Sequence, residues 1–457
     1  MKKTLLLICI ILSLNRGTNA ARFFKNKSLT NDNIVSVQAY GAKGDGHTDD
    51  AAAFEKAILF CIKRHKQCYV PKTNSSYNIS TTIRVNLEPG ESLSISSNGA
   101  VIKPVSPPVN SAGWNLTAFK EHIFLSVGKK IYGLGNDMFK YSNGSAVEVS
   151  GLEFDGANLQ GPFAPTALST DIFIGMQVLA EKVAISNCVF KNIYGYGITI
   201  YNVKNAFLNH CKFENVGGRG GTPIAQKIDR DAFGDGVHFS MVKANGKVTI
   251  QNCSFNGLKT QGRRSRSAIT FEFSNQPYAA FVTNVSISGF AKCMHIEESA
   301  ATTVNLDQVR MSDFNFGIVN VLNDRSVVSL NNVKMDVGIA DGNDGGDALA
   351  FLNYRSKAKI YVANSYLNFN GKKQSYQSAP GLVKVRNTII NGNNTNFFFA
   401  DGSTVFDHCT FVAFGGNGPS FWGGMLSNYK LINCTLKNSS TIHANGQKLK
   451  LEIQKGR

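Results

Sequence analysis

Four side chains that can act as acids, bases or nucleophiles occupy matching positions in successive short segments: His238, Glu272, His295 and Glu297. Carboxylates on neighbouring strands have backbones about 5 Å apart. Joint ionisation is then disfavoured, so one carboxyl group keeps its proton and can act as a general acid. A pair about 5–5.5 Å apart suits a retaining glycosidase, and a pair about 6.5–9.5 Å apart suits an inverting one. Asp235 could complete the wider spacing, and either histidine could orient a carboxylate or bind a sugar.

The same region could support a second chemistry, β-elimination from a uronate. Elimination requires the substrate carboxylate to be neutralised, which arginines can do bidentately or a bound calcium ion can do. A histidine of the cluster, His238 or His295, would then be the base. The candidate substrate-binding residues are Arg219, Arg230, Arg263, Arg264, Arg266 and Tyr201, and Asp229, Asp231 and Asp235 are candidate calcium ligands. Hydrolysis requires no cofactor.

The elements that must position these residues are the units of a repeat. A short phrase recurs from Cys188 to Cys434 at offsets of 23, 42, 32, 24, 24, 32, 23, 21 and 25 residues. A unit of 21–25 residues, with insertions in some turns, accounts for all these offsets. The units are rich in β-branched residues and alternate apolar with polar positions, which predicts strands. Strand repeats of this length predict a parallel β-helix, whereas a propeller blade needs about 40 residues.

Stacking the coils of such a β-helix predicts which side chains share one face. Ile198, Val237, Ile269, Met294 and Ile318 should point inward, and the residues that alternate with them should point outward. The predicted outward ladders are Thr199, His238, Thr270, His295 and Val319, beside Tyr201, Ser240, Glu272, Glu297 and Val321. Two charged insertions, 217–235 and 261–267, leave the same coils, and loops on a rigid scaffold commonly carry binding and catalytic residues.

The cysteines follow the repeat rather than a disulfide framework. Those in one slot should face inward and stack as small apolar residues. They are Cys188, Cys211, Cys253, Cys409 and Cys434. Cys61 and Cys68 flank the end of a predicted helix and could pair in an oxidising compartment.

The charge and the first twenty residues narrow the partner. The chain has 457 residues, with 48 Lys and Arg against 31 Asp and Glu, giving a net charge of +17. A charged start, an apolar run and small residues before Ala20 predict a signal peptide over 1–20, too short to span a membrane. Its removal leaves 17 − 3 = +14. Export to the periplasm or the exterior makes nucleic acid a poor candidate and favours an acidic glycan, without membrane insertion.

The most specific motif lies near the start of the mature chain. It reads Tyr40-Gly41-Ala42-Lys43-Gly44-Asp45-Gly46, followed by Thr48-Asp49-Asp50. The glycines permit positive φ in a turn, and Thr48, Asp49 or Asp50 should cap the helix that follows. The three carboxylates of this motif are therefore expected to be structural rather than catalytic.

This motif resembles the opening of the pectate-lyase-like superfamily, which includes polygalacturonases, rhamnogalacturonases and phage tailspikes, and it has an epimerase-like signature. The resemblance implies an all-β, single-stranded right-handed parallel β-helix whose first coil is capped by a short N-terminal helix. It covers 35 to about 105, and the repeat extends it along the chain. Residues 21–105 should hold the strand-helix cap and first coils, and 106–457 the remaining coils with inserted loops, in one continuous domain. The catalytic motifs of polygalacturonases are missing as a set, so no catalytic residue is carried over.

Together these features predict a secreted enzyme that cleaves glycosidic bonds of an acidic, uronate or sulfated, polysaccharide. Hydrolysis by the Glu272 and Glu297 pair is favoured over elimination. A third hypothesis is a glycan-binding β-helix without catalysis, which would use aromatic platforms such as Tyr194, Tyr196 and Tyr201. The chain is expected to act as a monomer or small homo-oligomer.

Overall fold

The fold was obtained as a computed structural model of the chain. It describes residues 33–109, 120–128, 142–157, 171–218, 220–224, 227–259, 263–341, 348–370, 375–378, 381–392, 398–399, 403–413, 420–422, 428–437, 443–445 and 450–454. The predicted signal peptide and Arg219 lie outside these residues. Residues Val35–Arg457 form one compact unit by their internal contacts. No helix of the described residues is long and apolar enough to cross a membrane.

The architecture is a parallel β-helix in which a typical coil contributes one strand to each of three faces. The front face carries the predicted site. Its strands are Ile83–Val85, Lys120–Val127, Asp171–Leu179, the second half of Val189–Tyr201, Asp235–Ser240, Ser265–Glu272, Phe290–Glu297, Phe316–Val321, Leu349–Tyr354, Ser375–Ser378, Phe398–Phe399, Ser420–Trp422 and His443–Asn445.

The other two faces are built from strands that stack in the same way. The second face consists of Ile34–Ser36, Gln67–Val70, Ser92–Val109, Ala146–Asp155, Lys182–Ser186, Asn205–Asn209, Gly246–Gln251, Tyr278–Ser288, Thr303–Ser312, Val327–Asn331, Lys359–Ala363, Leu382–Arg386, Ser403–Asp407, Asn428–Ile432 and Lys450–Gln454. The third face consists of Ser76–Thr81, the first half of Val189–Tyr201, Lys212–Gly217, Ser254–Gly257, Lys334–Val337, Tyr366–Phe369, Ile389–Asn391, Thr410–Val412 and Thr435–Lys437, with the second halves of the four longest second-face strands.

The register of the coils matches the predicted repeat. On the third face Val189 pairs with Lys212, Lys212 with Ser254, and Ser254 with Ser286, which are offsets of 23, 42 and 32 residues. The predicted all-β parallel β-helix is therefore confirmed.

Inside the coils, equivalent side chains stack along the axis. Phe154, Phe190, Phe213 and Phe255 form a row with ring centroids 5.1, 5.1 and 4.4 Å apart. The cysteines of the repeat slot are free; all are buried except Cys434, which is half-buried, so the inward prediction is confirmed. Cys61 and Cys68 are also free and buried in this structure.

The N-terminal helix covers Ala51–Arg64 and contributes Phe54 to the core. Asp50 stands at its N-cap, but its carboxylate accepts hydrogen bonds from Lys43 N and Gly44 N instead of capping the helix. Asp45 accepts hydrogen bonds from His47 N and Thr48 N. The carboxylates of the motif therefore hold a loop together, as a structural role requires.

The first charged insertion contains a feature that the sequence did not suggest. Strands Gly220–Ile224 and Lys227–Phe233 pair antiparallel and form a hairpin beside the front face. A hairpin of this kind requires only local pairing, and the strand pattern of the repeat gives no sign of it.

Candidate active site

The front face brings the predicted ladders together. His238 pairs with Thr270 and Thr270 with His295, while Ser240 pairs with Glu272. Glu272 pairs in turn with Glu297. The alignment that predicted these neighbours is confirmed, because each inserted loop leaves the β-helix without changing the register of the strands.

Glu272 lies at the centre of the cluster and contacts three cationic or ring nitrogens. Its Oε1 accepts a hydrogen bond from the guanidinium of Arg266 at 2.6 Å and lies 3.5 Å from His295 Nε2. Its Oε2 lies 3.3 Å from His238 Nε2. The side chain is only 7% exposed. A carboxylate at this depth has lost most of its water, and these partners take the place of water around its two oxygens.

Arg266 joins Glu272 to Asp235. Its second terminal nitrogen donates to Asp235 Oδ2 at 2.7 Å. The same oxygen lies 3.2 Å from His238 Nδ1. Burial alone raises the pKa of Asp235, but the charge of Arg266 and the contact with His238 outweigh it and hold that pKa below its ordinary value. Because the Asp235 side chain is fully buried, it can position Arg266 and His238 but has no access to a substrate. The wider carboxylate pair that Asp235 was predicted to complete is therefore not formed at the surface.

Glu297 is the most accessible carboxylate of the cluster, with 29% of its side chain exposed. Its Oε2 lies 2.7 Å from His295 Nε2. Burial, followed by the nearby charge of Glu272, raises the pKa of Glu297 above its ordinary value. Burial also holds the pKa of His295 well below its ordinary value, with help from the positive charges of Lys292 and Arg266. Both shifts favour the uncharged forms of the two groups in this contact.

The other charged loop residues that were predicted to bind substrate or calcium fall into three groups. Arg264 binds away from the cluster: its guanidinium donates to Asp313 Oδ1 at 3.0 Å, to Ile339 O at 3.0 Å and to Asn315. Each of its three guanidinium nitrogens thus has a protein acceptor, and its role in substrate binding stays a prediction. Arg263 is half-buried. The side chains of Arg230, Asp229 and Asp231 lie outside the described residues, although their backbone belongs to the hairpin strand Lys227–Phe233.

The tyrosines near the cluster do not form an open platform. Tyr194 is 7% exposed, so it packs in the wall of the β-helix. Tyr196 lies edge-on to His238, with ring centroids 5.7 Å apart. Burial holds the pKa of Tyr201 well above its ordinary value, and this residue lies in the ladder of Ser240 and Glu272. Tyr196 therefore helps to orient His238.

Lys292 is a further member that sequence reasoning missed. It is 8% exposed, and its charge lowers the pKa of both His295 and Glu297. Alternation counted back from Met294 puts Lys292 on the inward side, so the pattern gave no reason to select it.

A metal ion is geometrically conceivable at part of this cluster. One ligand atom from each of Glu272, His295 and Glu297 lies within 4.8 Å of the others. Imidazole and carboxylate suit transition metals better than calcium, which takes six to eight oxygen ligands. However, the guanidinium of Arg266 already bonds Glu272, and its charge would repel a cation at this position. The donor set therefore fits a metal poorly.

Comparison with known proteins finds similarity among solved structures only. No protein-family model matches the sequence, and no curated protein matches it. Among solved structures, the chain is similar to a Family 28 exopolygalacturonase of Yersinia enterocolitica, with 12% identity, a TM-score of 0.52, and coverage of 90% of this chain and 79% of that one.

Two other similar structures come from different bacteria. A thermostable GH87 alpha-1,3-glucanase catalytic unit from Streptomyces thermodiastaticus has 13% identity, a TM-score of 0.52, and coverage of 93% of this chain and 68% of that one. The surface adhesin PfbA of Streptococcus pneumoniae has 17% identity, a TM-score of 0.48, and coverage of 91% and 93%. With its three stacked faces and its similarity to the exopolygalacturonase and the glucanase, the chain has the right-handed parallel β-helix fold.

Proposed function

We propose that the front-face cluster is the active site of an exported glycoside hydrolase that acts on an acidic polysaccharide. The observation that carries this proposal is the pairing of Glu272 with Glu297 on adjacent strands, between two histidines and a buried arginine. Paired carboxylates in different environments are the usual equipment for glycosidic cleavage.

Glu297 is assigned the role of general acid. Its raised pKa keeps a proton available, and its exposed fraction of 29% gives it access to a leaving-group oxygen. Glu272 is assigned the role of the ionised partner, since its carboxylate pairs with Arg266. Atoms of the two groups lie within 4.8 Å of each other, which favours the close spacing of a retaining mechanism over the wide spacing of an inverting one.

Elimination is less well supported by the same contacts. A base needs a nitrogen lone pair directed at the substrate. Both ring nitrogens of His238 face carboxylate oxygens, and His295 is only 1% exposed. Arg266, which would neutralise a substrate carboxylate, is already bound to Asp235 and Glu272.

The acidic substrate is inferred from charge. The excess of 48 Lys and Arg over 31 Asp and Glu attracts polyanions and raises their rate of association. The similarity in fold to an exopolygalacturonase and an alpha-1,3-glucanase supports a glycan as substrate, and export rests on the predicted signal peptide.

A panel of uronate and sulfated glycans tests this proposal. We expect new reducing ends without the ultraviolet absorbance of an unsaturated product. Absorbance that rises with the reducing ends would support elimination instead. Binding without any product would support a glycan-binding module and overturn the hydrolase.

Chelation of metals is expected to leave the rate of glycan cleavage unchanged. The reason is that Arg266 supplies the positive charge beside Glu272, so hydrolysis by two carboxylates needs no ion. The measurement is the cleavage rate before and after dialysis against EDTA. A loss of activity that zinc or manganese restores would show that Glu272, His295 and Glu297 bind a metal.

A further inference from the structure

A row of large side chains occupies the corner of the β-helix that follows the front-face strands. Each residue of the row comes directly after the last residue of one strand. The row consists of Met241, Phe273, Glu298, Leu322 and Arg355, and Asn202 holds the equivalent position in the preceding coil. Phe273 and Glu298 are thus the immediate chain neighbours of Glu272 and Glu297.

All these corner residues have left-handed backbone conformation. Their φ angles are +58° at Met241, +57° at Phe273, +45° at Glu298, +52° at Leu322 and +49° at Arg355. Large L-residues adopt this conformation at a steric cost, whereas asparagine tolerates it. The corner between the second and third faces shows the usual solution, with asparagine at seven of the ten non-glycine left-handed positions that the structure describes there. These ten are Asn187, His210, Asn252, Asn284, Gln308, Asn332, Asn364, Asn387, His408 and Asn433.

The row gains little packing in return for this cost. Phe273 and Leu322 are each 47% exposed, and the adjacent Tyr354 is 52% exposed. Hydrogen bonds between coils hold the corner in shape, including Phe273 N to Glu297 O at 3.3 Å and Met241 N to Glu272 O at 3.0 Å. Large residues that keep a strained backbone conformation while their side chains stay exposed to solvent indicate that the exposed surface has a function.

Two hollows flank the row. The first has a volume of about 710 Å³ and is lined by Met241, Lys243, Phe273 and Asn275, among others. The second has a volume of about 380 Å³ and is lined by Leu322, Asp324, Arg325 and Arg355, among others. Both hollows have an apolar surface, but Lys243 in the first already pairs with Glu181 at 3.4 Å. The second hollow has two arginines beside one aspartate, so it is the better match for a ligand that has both carbon–hydrogen faces and negative charges.

We propose that this corner row binds the sugar units that extend from the cleavage site of an acidic oligosaccharide. Phe273 stacks on the pyranose next to Glu272 and Glu297, and Leu322, Tyr354 and Arg355 bind units further along. Coils are spaced by about 4.8 Å, close to the length of one sugar unit, so a chain parallel to the axis meets one corner residue per sugar. This inference rests on the proposed function, because the cluster defines where the chain is cut.

Binding of defined fragments tests the row. The probes are oligogalacturonate, alginate and hyaluronan fragments of graded length, titrated by calorimetry into the Glu297→Gln protein so that they are not cleaved. The F273N substitution is expected to weaken binding of the longest bound fragments about tenfold, as loss of one aromatic contact would, and to change the shortest ones little. F273W should restore the affinity.

Thermal unfolding separates this role from a structural one. Asparagine suits the left-handed corner, as at Asn202, so F273N should keep or raise Tm while it weakens binding. The matched control is Q308N, which also places asparagine at a left-handed position but in the corner between the second and third faces. It should leave every affinity unchanged. If F273N does not fold, F273G provides the same test.

The outcomes distinguish the row from the cleavage chemistry. The proposed binding role of the row is contradicted if F273N binds every fragment as tightly as its Glu297→Gln parent does. It is also contradicted if that parent binds no fragment. A second measurement uses F273N in the chain that keeps Glu297: normal cleavage of both long and short fragments by that protein would contradict the proposed row and leave the hydrolase intact. Weakened binding in F273N, together with no cleavage by the unsubstituted protein, supports the row and overturns the hydrolase.

Discussion

Replacing Glu297 with glutamine is expected to lower kcat for glycan cleavage by about 10²–10⁴-fold, the usual contribution of a general acid. Glutamine keeps the shape of the side chain and can still contact His295, but it has no acidic proton to give to the leaving oxygen. The measurement is steady-state release of reducing ends. The matched control is E214Q, an exposed glutamate on the third face, which should keep full activity.

The pH dependence of the unsubstituted protein should report the same group. Because the pKa of Glu297 is raised, its acid form persists at higher pH than that of an ordinary glutamate. Activity should therefore fall as pH rises through this raised pKa. Ionising a partly buried group costs stability above its unfolded pKa, so E297Q should unfold at an equal or higher Tm than the parent at alkaline pH. A Tm that drops together with the activity would indicate a structural role instead.

Replacing Arg266 with methionine is expected to remove activity and to destabilise the protein by about 3–5 kcal/mol at neutral pH. The guanidinium is 7% exposed and bonds both Asp235 and Glu272. Methionine fills part of the space but leaves two buried carboxylates without a counter-charge. The measurements are denaturant unfolding and reducing-end release. R310M, at an exposed arginine of the third face, should change stability by no more than about 0.5 kcal/mol.

The effect of this substitution should depend on pH in a defined direction. In the unsubstituted protein the lowered pKa of Asp235 adds stability above the unfolded pKa, and this stability is lost as pH falls through the folded pKa. Without Arg266, burial raises the pKa of Asp235, so ionisation costs stability as pH rises. The stability difference between the two proteins should therefore be largest near neutral pH and should shrink as pH falls below about 4, toward the lowered pKa of Asp235 in the unsubstituted protein. A difference that does not vary with pH would contradict the proposed ion pairs.

The sequence was sufficient to predict the front-face ladders because a β-helix converts a sequence offset into adjacency. Once the repeat aligned Ser240, Glu272 and Glu297, their pairing followed without knowledge of the loops. The contacts of the arginines in the inserted loops could not be predicted from the repeat. Arg264 contacts Asp313, 49 residues later, and Asp341, 77 residues later, and no periodicity connects these positions.

The exposed corner was missed for a different reason. Alternation describes side chains within a strand, whereas Phe273 and Leu322 lie just beyond strand ends, where the backbone turns left-handed. Asparagine at Asn202, followed by large residues in the same slot of five coils, is the signal that could have identified the row. The burial of Tyr194 and Asp235 likewise depends on packing that the residue types do not reveal.

The most direct test of the central claim compares three proteins on the same acidic glycans: the unsubstituted chain, E272Q and E297Q. The measured quantity is the rate at which reducing ends appear, with unfolding curves to show that each variant is folded. The proposed site predicts cleavage by the unsubstituted chain and loss of at least about 10²-fold in each folded variant. Full activity in both variants would contradict it, because the carboxylates that cleave the glycan would then lie elsewhere on the β-helix.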